Sequence, residues 1–451
     1  MAILKQSVIA FELEQMTPMV HFQGEEDGAG IRASDLKPRF DAFLQRYLYD
    51  EIKNYTLSQE KSDDTDKISI SKLAFDYKVK IINSDKKTIS FYKGKNRKGE
   101  NTFYGSFYGE LEDGKSSFYN EIKVIMISPH QKLREIIKDY FPIFLAVNGF
   151  GLRNNKGYGY FKQKNDNEDA IIEDIKKYQS EENEYIKKEG RENKEKGIGI
   201  YQFTFLEKEK VKEKKIHDIL DKVKNFHQIL KSGKKPILSL MLEKAEIEEG
   251  ATLEKKALKL FLKKMEYDIS ALRKKGKSDG CQDNFDNLDK EKIYYVRGLL
   301  GLAPFYEFNK VDATFNIEIK DKDDFRFASP IKYLPISYNR VIILVDYSQI
   351  EDFREEVKEE RKKASKVTFS LEKSKIFKVK KGKNLNFLQK SKKFSLKKRK
   401  EVSLKKRKRF NAKIPSEEQY SVHQFFKKDG IIMNNISKDK FEYSIISDIE
   451  L

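Results

Sequence analysis

A single cysteine, Cys281, stands in 451 residues. It excludes a disulfide framework and a zinc site built on cysteines. No run approaches the ~20 apolar residues of a membrane helix. The opening Met1-Ala2-Ile3-Leu4-Lys5 leads straight into an alternating segment, without the apolar core or cleavage signal of a leader. The expectation is a soluble, cytoplasmic protein with no membrane partner. No Ser/His/Asp set, zinc-ligand spacing or Gly-Lys-Ser/Thr phosphate loop is legible, so no cofactor and no metal is expected.

What is present in excess is positive charge. The formal net charge is +19. From Lys358 to Arg409 there are 23 Lys/Arg and 4 Asp/Glu, and outside that block 68 basic residues meet 68 acidic ones. Coding bias toward lysine raises the total but does not gather it in one place. The block holds a tandem repeat, Ser395-Leu396-Lys397-Lys398-Arg399-Lys400 and Ser403-Leu404-Lys405-Lys406-Arg407-Lys408, with Phe369, Phe377, Phe387 and Phe394 interleaved upstream. Such charge suits a polyanion, and interleaved rings suit bases. A solvated insertion with no partner is the plain alternative. An extended hairpin or mobile arm is expected.

Periodicity suggests an α+β chain whose first part has a ferredoxin-like or RRM-like layout and whose second half repeats the α+β theme. Ser7 to Met16 alternates as a strand. Leu36, Phe40, Phe43, Leu44 and Leu48 follow helical spacing behind Ser34, a candidate N-cap. β-type segments occupy the stretch up to Ser128, and His130 to Val147 reads as a second helix. A closing strand from Tyr158 completes a β-α-β-β-α-β order over residues 1–165. Residues 166–197 read as a charged connector, with partial helix as an alternative. Residues 198–351 repeat the theme, with helices at Val211–Leu230, Leu253–Met265 and Glu291–Leu300. Residues 352–413 form the Lys/Arg-rich arm or insertion, and 414–451 supply strands that rejoin the second domain.

The most informative stretch is Gly149-Phe150-Gly151-Leu152-Arg153-Asn154-Asn155-Lys156-Gly157-Tyr158-Gly159-Tyr160-Phe161. Its glycines permit positive φ and close approach. Consecutive exposed amides there would bind an anion, with Arg153 and Lys156 adding charge. Tyr158 and Tyr160 would share one face of the following strand. An ordinary turn is the alternative. A helix precedes and a strand follows, the reverse of a dinucleotide fingerprint. A second element, Ala29-Gly30-Ile31-Arg32-Ala33-Ser34-Asp35-Leu36-Lys37, would offer a phosphate the start of a helix flanked by Arg32 and Lys37. A third joins Arg297-Gly298-Leu299-Leu300-Gly301-Leu302 to Arg326 and Ala328-Ser329-Pro330.

Together these elements resemble the RAMP superfamily of CRISPR effector proteins. Gly149 to Gly159 is similar to its G-x-G-x-R-x-x-x-G-x-G loop, and Ile31 to Arg39 to its I-P-G-S-S-L-K segment. The third element is most similar to the first-numbered RAMP subunit of the type III-B (Cmr) complex. Ala33 replaces a usual glycine, and Ala303 intervenes before Pro304. The resemblance implies two ferredoxin-like or RRM-like domains with antiparallel sheets, and a non-catalytic RNA-binding subunit near the 3′ end of a guide RNA, in contact with the guide–target duplex. Its partners would be guide and target RNA, other RAMP subunits and a polymerase-like large subunit. The implied RNA-binding residues are Arg32, Ser34, Lys37, Gly149, Gly151, Arg153, Lys156, Gly157, Tyr158 and Gly159, and the arm's Lys397, Lys398, Arg399, Lys405, Lys406 and Arg407 join them by charge. The alternative is an endoribonuclease, with His21 as base in guide processing or Asp27, beside Glu25 and Glu26, in metal-dependent slicing. A packed histidine and solvated carboxylates are the plain readings of those residues. A host RNA chaperone or ribosome-associated binder is a third possibility.

Overall fold

The computed structural model describes residues 7–19, 30–57, 74–90, 92–95, 101–103, 115–188, 197–205, 216–231, 252–265, 284–301, 305–308, 313–319, 327–356, 366–372, 409–429 and 441–447. The chain divides into two compact units. One comprises Met1–Lys244, Ser329–Asp352 and Ser421–Leu451, the other Ala245–Ala328 and Phe353–Tyr420.

The first unit begins β1 (Val8–Gln15), α1 (Ala33–Ile52), β2 (Lys78–Ser90), β3 (Lys115–Ile127), α2 (Gln131–Val147) and β4 (Phe161–Gln163). Its sheet runs β2-β3-β1-β4 with antiparallel neighbours, the split β-α-β pattern. Alternation in β1 places Ile9, Phe11 and Leu13 inside. Helical spacing turns Leu133, Ile136, Ile137, Phe141 and Phe144 of α2 onto the same core. Each such side chain contributes roughly 1.5–3 kcal/mol through burial.

The expected charged connector holds a helix, α3 (Glu168–Lys188), which packs and buries Ile171, Ile172 and Ile175. A second four-stranded sheet follows, from β5 (Ile198–Phe205), α4 (Ile216–Lys231), β6 (Ile331–Pro335), β7 (Arg340–Asp346) and β8 (Phe441–Ser447). Its order, β6-β7-β5-β8, repeats the first with antiparallel neighbours throughout. Ile198, Ile200, Leu334, Ile342 and Leu344 join the hydrophobic cluster that holds Ile9 and Phe40, so both sheets of this unit share a core.

The second repeat is therefore not the continuous stretch 198–351. The chain leaves it after α4 and again after β7 to build the other unit. That unit holds a six-stranded mixed sheet, ordered Phe305–Phe308, Ala313–Ile319, Lys366–Glu372, Arg409–Lys413, Ile293–Tyr294, Thr252–Leu253. Phe369 and Phe410 pair across neighbouring strands with ring centres 5.2 Å apart. Phe369 is fully buried, so its ring serves this core and is not offered to a base. The basic block thus springs from two core strands. Its residues between 373 and 408, including Phe377, Phe387, Phe394 and the eight cations of the tandem repeat, lie outside the described residues.

Candidate nucleic-acid interface

The glycine-rich bend joins α2 to β4, and its two limbs close on each other. Phe150 N–H donates to the Gly159 carbonyl at 2.8 Å. Gly159 N–H donates to Pro18 O at 2.9 Å, and Tyr160 N–H to Thr17 Oγ1 at 3.0 Å. At the tip, Arg153 takes a left-handed conformation (φ 59°) before a short turn, Asn154–Lys156. There Lys156 N–H donates to Arg153 O at 2.8 Å and Gly157 N–H to Asn154 O at 3.0 Å.

This corrects the expected row of exposed amides. The amides of Phe150, Lys156, Gly157, Gly159 and Tyr160 have internal acceptors, because the bend is wedged into its unit. Gly149, Gly157 and Gly159 are buried, while Gly151 to Lys156 are half-buried. The strand starts only at Phe161, so Tyr158 and Tyr160 precede it. Both rings are buried, at 3% and 4% exposure, and present no stacking face.

Two other sequence elements converge on the bend. Arg39, in α1, donates from Nη1 to Gly149 O at 2.8 Å and lies 4.8 Å over the Phe150 ring. Asn155 Nδ2 donates to Ser329 O at 3.2 Å, which ties the Ala328-Ser329-Pro330 motif to the tip. The three motifs are thus partly joined in space, through residues that hold backbone.

Lys156 is the chemically unusual group. Its Nζ sits 2.9 Å from His227 Nε2, on α4, and His227 Nδ1 is 2.9 Å from Tyr333 Oη, on β6. Burial, then the charges of Lys231 and Arg153, pushes the Lys156 amine down to about 7. Burial, then Lys156 and Lys231, holds the His227 imidazole well below its ordinary value, so it is neutral. His227, Lys231 and Tyr333 carried no local signal as site residues. Only the i,i+4 spacing of His227 and Lys231, which sets them side by side on a helix, hinted at them.

The helix-start element differs from expectation. The helix begins at Ala33, Arg32 occupies the cap position without a side-chain cap bond, and exposed Ser34 lies in the first turn. Ser34 is therefore not the cap. Lys37 turns inward, bonding Asp41 Oδ2 at 2.7 Å and Phe75 O at 3.1 Å while lying 4.1 Å over the Tyr77 ring. It is a structural cation in this unit. Arg297 is likewise buried, its Nε paired with the Glu254 carboxylate in the second unit. The stretch around it is a short strand and a 3-10 turn, not the expected helix. Arg326, His21, Glu25, Glu26 and Asp27 lie outside the described residues. Among the described residues no group of three His, Cys, Asp or Glu is arranged to hold a metal, and no helix is long and apolar enough to cross a membrane.

The Cmr1 N-terminal domain matches residues 6–234, and the Cmr1 C-terminal domain matches residues 234–448. A solved structure, apo Cmr1 from Pyrococcus furiosus, aligns over 75% of this chain and 88% of its own. The identity is 10% and the TM-score 0.31. No curated protein sequence matches.

Proposed function

This chain belongs to the Cmr1 family, the first RAMP subunit of the type III-B CRISPR effector complex, and from that premise we propose that it binds RNA without cutting it. The guide RNA near its 3′ end and the guide–target duplex are the ligands of this reading. Sister RAMP subunits and the polymerase-like large subunit are its protein partners. The two repeated sheets of the first unit are its ferredoxin-like halves, and the Lys/Arg-rich segment is an insertion that adds salt-sensitive affinity.

One observation supports the reading above others. At the half-buried tip of the bend, Lys156 Nζ lies 2.9 Å from His227 Nε2, and burial, then the positive charges of Lys231 and Arg153, pushes its amine down to about 7. A fold that gathers like charge in a partly desolvated place is primed for an anion. The tip residues Arg153 and Lys156, with Arg32 at the start of α1, are the contacts of this reading. Buried Tyr158, Gly157 and Gly159 shape the bend from within.

The test uses purified full-length chain and labelled guide-length RNA, alone and annealed to target, with magnesium or with EDTA. Salt-sensitive binding with intact RNA in both conditions is expected. Cleavage abolished by changing His21 or Asp27, or no binding at low salt, would contradict the reading.

A further inference from the structure

The first sheet of the first unit has one covered face and one open face. Its inner face packs on α1 and α2. Alternate residues of β2, β3 and β1 build the outer face, and the strand register sets them out in rows. Lys78, Ile127 and Val8 form one row. Lys80, Ile125 and Ala10 form the next, and Ile82, Lys123 and Glu12 the third. Six large apolar side chains are exposed among the described residues, and three of them stand on this face. They are Val8 at 42%, Ile82 at 41% and Ile127 at 40%. Single exposed aliphatics are ordinary, but a set on neighbouring strands marks a contact surface.

The charge around the patch selects what would cover it. Glu14 pairs with Lys162 at 3.5 Å and Glu121 with Lys164 at 3.4 Å, so those charges cancel. Glu12 stands opposite Lys123. The register partners of exposed Lys78 and Lys80 are the uncharged Ile127 and Ile125, and Asp76, just before β2, lies 3.0 Å from His130. The face thus carries five lysines against three glutamates. Two copies of this chain set face to face would oppose like charges. Nor does any helix among the described residues expose a large apolar side chain that a second copy could bring. RNA fits poorly at the centre of the patch, because bases stack on rings and Val8, Ala10, Ile82, Ile125 and Ile127 offer none.

We propose that this face docks an amphipathic helix of a partner protein, its aliphatic row on the patch and its carboxylates along the flank that meets Lys78 and Lys80. Three adjacent strands span about 10 Å, close to the diameter of a helix, about 10–12 Å. Aliphatic side chains one turn apart on that helix would lie over Val8, Ile125 and Ile127. Their burial supplies most of the affinity, and the lysines fix direction and register. The inference rests on the reading of this chain as one subunit of an assembly. It is independent of how the bend meets RNA.

The experiment reconstitutes the full chain with the other protein subunits of its own effector. Carbodiimide coupling joins a lysine amine to a touching carboxylate as an amide, with loss of water, and peptide mass spectrometry reads the pairs. Lys78 and Lys80 should couple to Asp or Glu of one helix in a partner subunit. The Val8→Thr, Ile127→Thr variant keeps β-branched side chains and removes apolar surface, so it should fold and weaken assembly about tenfold. Lys78→Glu, Lys80→Glu changes only exposed charge and should weaken assembly most at low salt. Both variants should keep the native Tm and RNA affinity of the isolated chain. Coupling of the two lysines to a second copy of this chain overturns the proposal in favour of self-association. Normal assembly with lost RNA affinity assigns the face to RNA and overturns it too. Normal assembly of both variants, without coupling, overturns the docking face and leaves the subunit reading standing. Failure of the native chain to join any other subunit removes that reading and this face with it.

Discussion

Gly159 lies so close to Phe150 that a Cβ on it would stand 1.9 Å from the Phe150 carbonyl oxygen. Its φ of +68° is also one that side-chain-bearing residues rarely adopt. The two limbs of the bend can zip together only because residue 159 has no side chain. Gly159→Ala must therefore open the limbs or strain the backbone, at a cost of roughly 1–3 kcal/mol. Thermal denaturation of the full chain should show a clear fall in Tm, accompanied by weaker RNA binding. An unchanged Tm would show that the limbs are not locked as described.

Lys156→Met should move stability and binding in opposite directions. The native amine sits near 7 and the unfolded one near 10.5. Above 10.5 both are neutral and the lysine carries no penalty. As pH falls from 10.5 toward 7, the unfolded chain takes a proton that the native one does not, so native stability declines. Below about 7 the penalty is constant. Methionine removes it, so the variant should gain up to about 5 kcal/mol at or below neutral pH, less the contribution of the lost Lys156–His227 bond, and nothing near pH 10.5. Chemical denaturation across that range reads this, and RNA affinity should drop in the same variant. A loss of stability at pH 7 would mark Lys156 as a structural residue.

The Arg297–Glu254 pair separates scaffold from interface in the other unit. Both side chains are almost wholly buried. Arg297→Met or Glu254→Gln alone leaves an uncompensated or half-satisfied buried group, destabilising by about 3–5 kcal/mol. The Arg297→Met, Glu254→Leu double variant should recover much of that loss. Additive losses in a denaturation cycle would contradict the pairing.

Much of the first repeat was legible because its signals are local and regular. Ile9, Phe11 and Leu13 alternate, and Leu133 to Leu145 keep helical spacing, so both elements were readable. Ile171, Ile172 and Ile175 carry the same helical stripe, but acidic and basic neighbours dilute it, and the stretch reads as a linker. The return of C-terminal strands to the second repeat was legible in their apolar alternation, and β8 does pair with β5 across more than 230 residues; the departure of the chain after α4 was not legible. At the site, the glycine pattern located the bend. It did not reveal that Pro18 and Thr17 occupy its amides, nor that His227 reaches Lys156 from 71 residues away. Those are tertiary contacts, and no local pattern encodes them.

The most direct measurement is the salt dependence of RNA binding by the native chain and by Arg153→Ala, Lys156→Ala. Each cation that neutralises a single-strand phosphate contributes about −0.7 to the slope of log K against log salt. The double variant should bind more weakly, with a slope shallower by about 1.4 at or below pH 6.5, where Lys156 is mostly charged. Identical affinity and identical slope would show that the tip of the bend does not touch RNA.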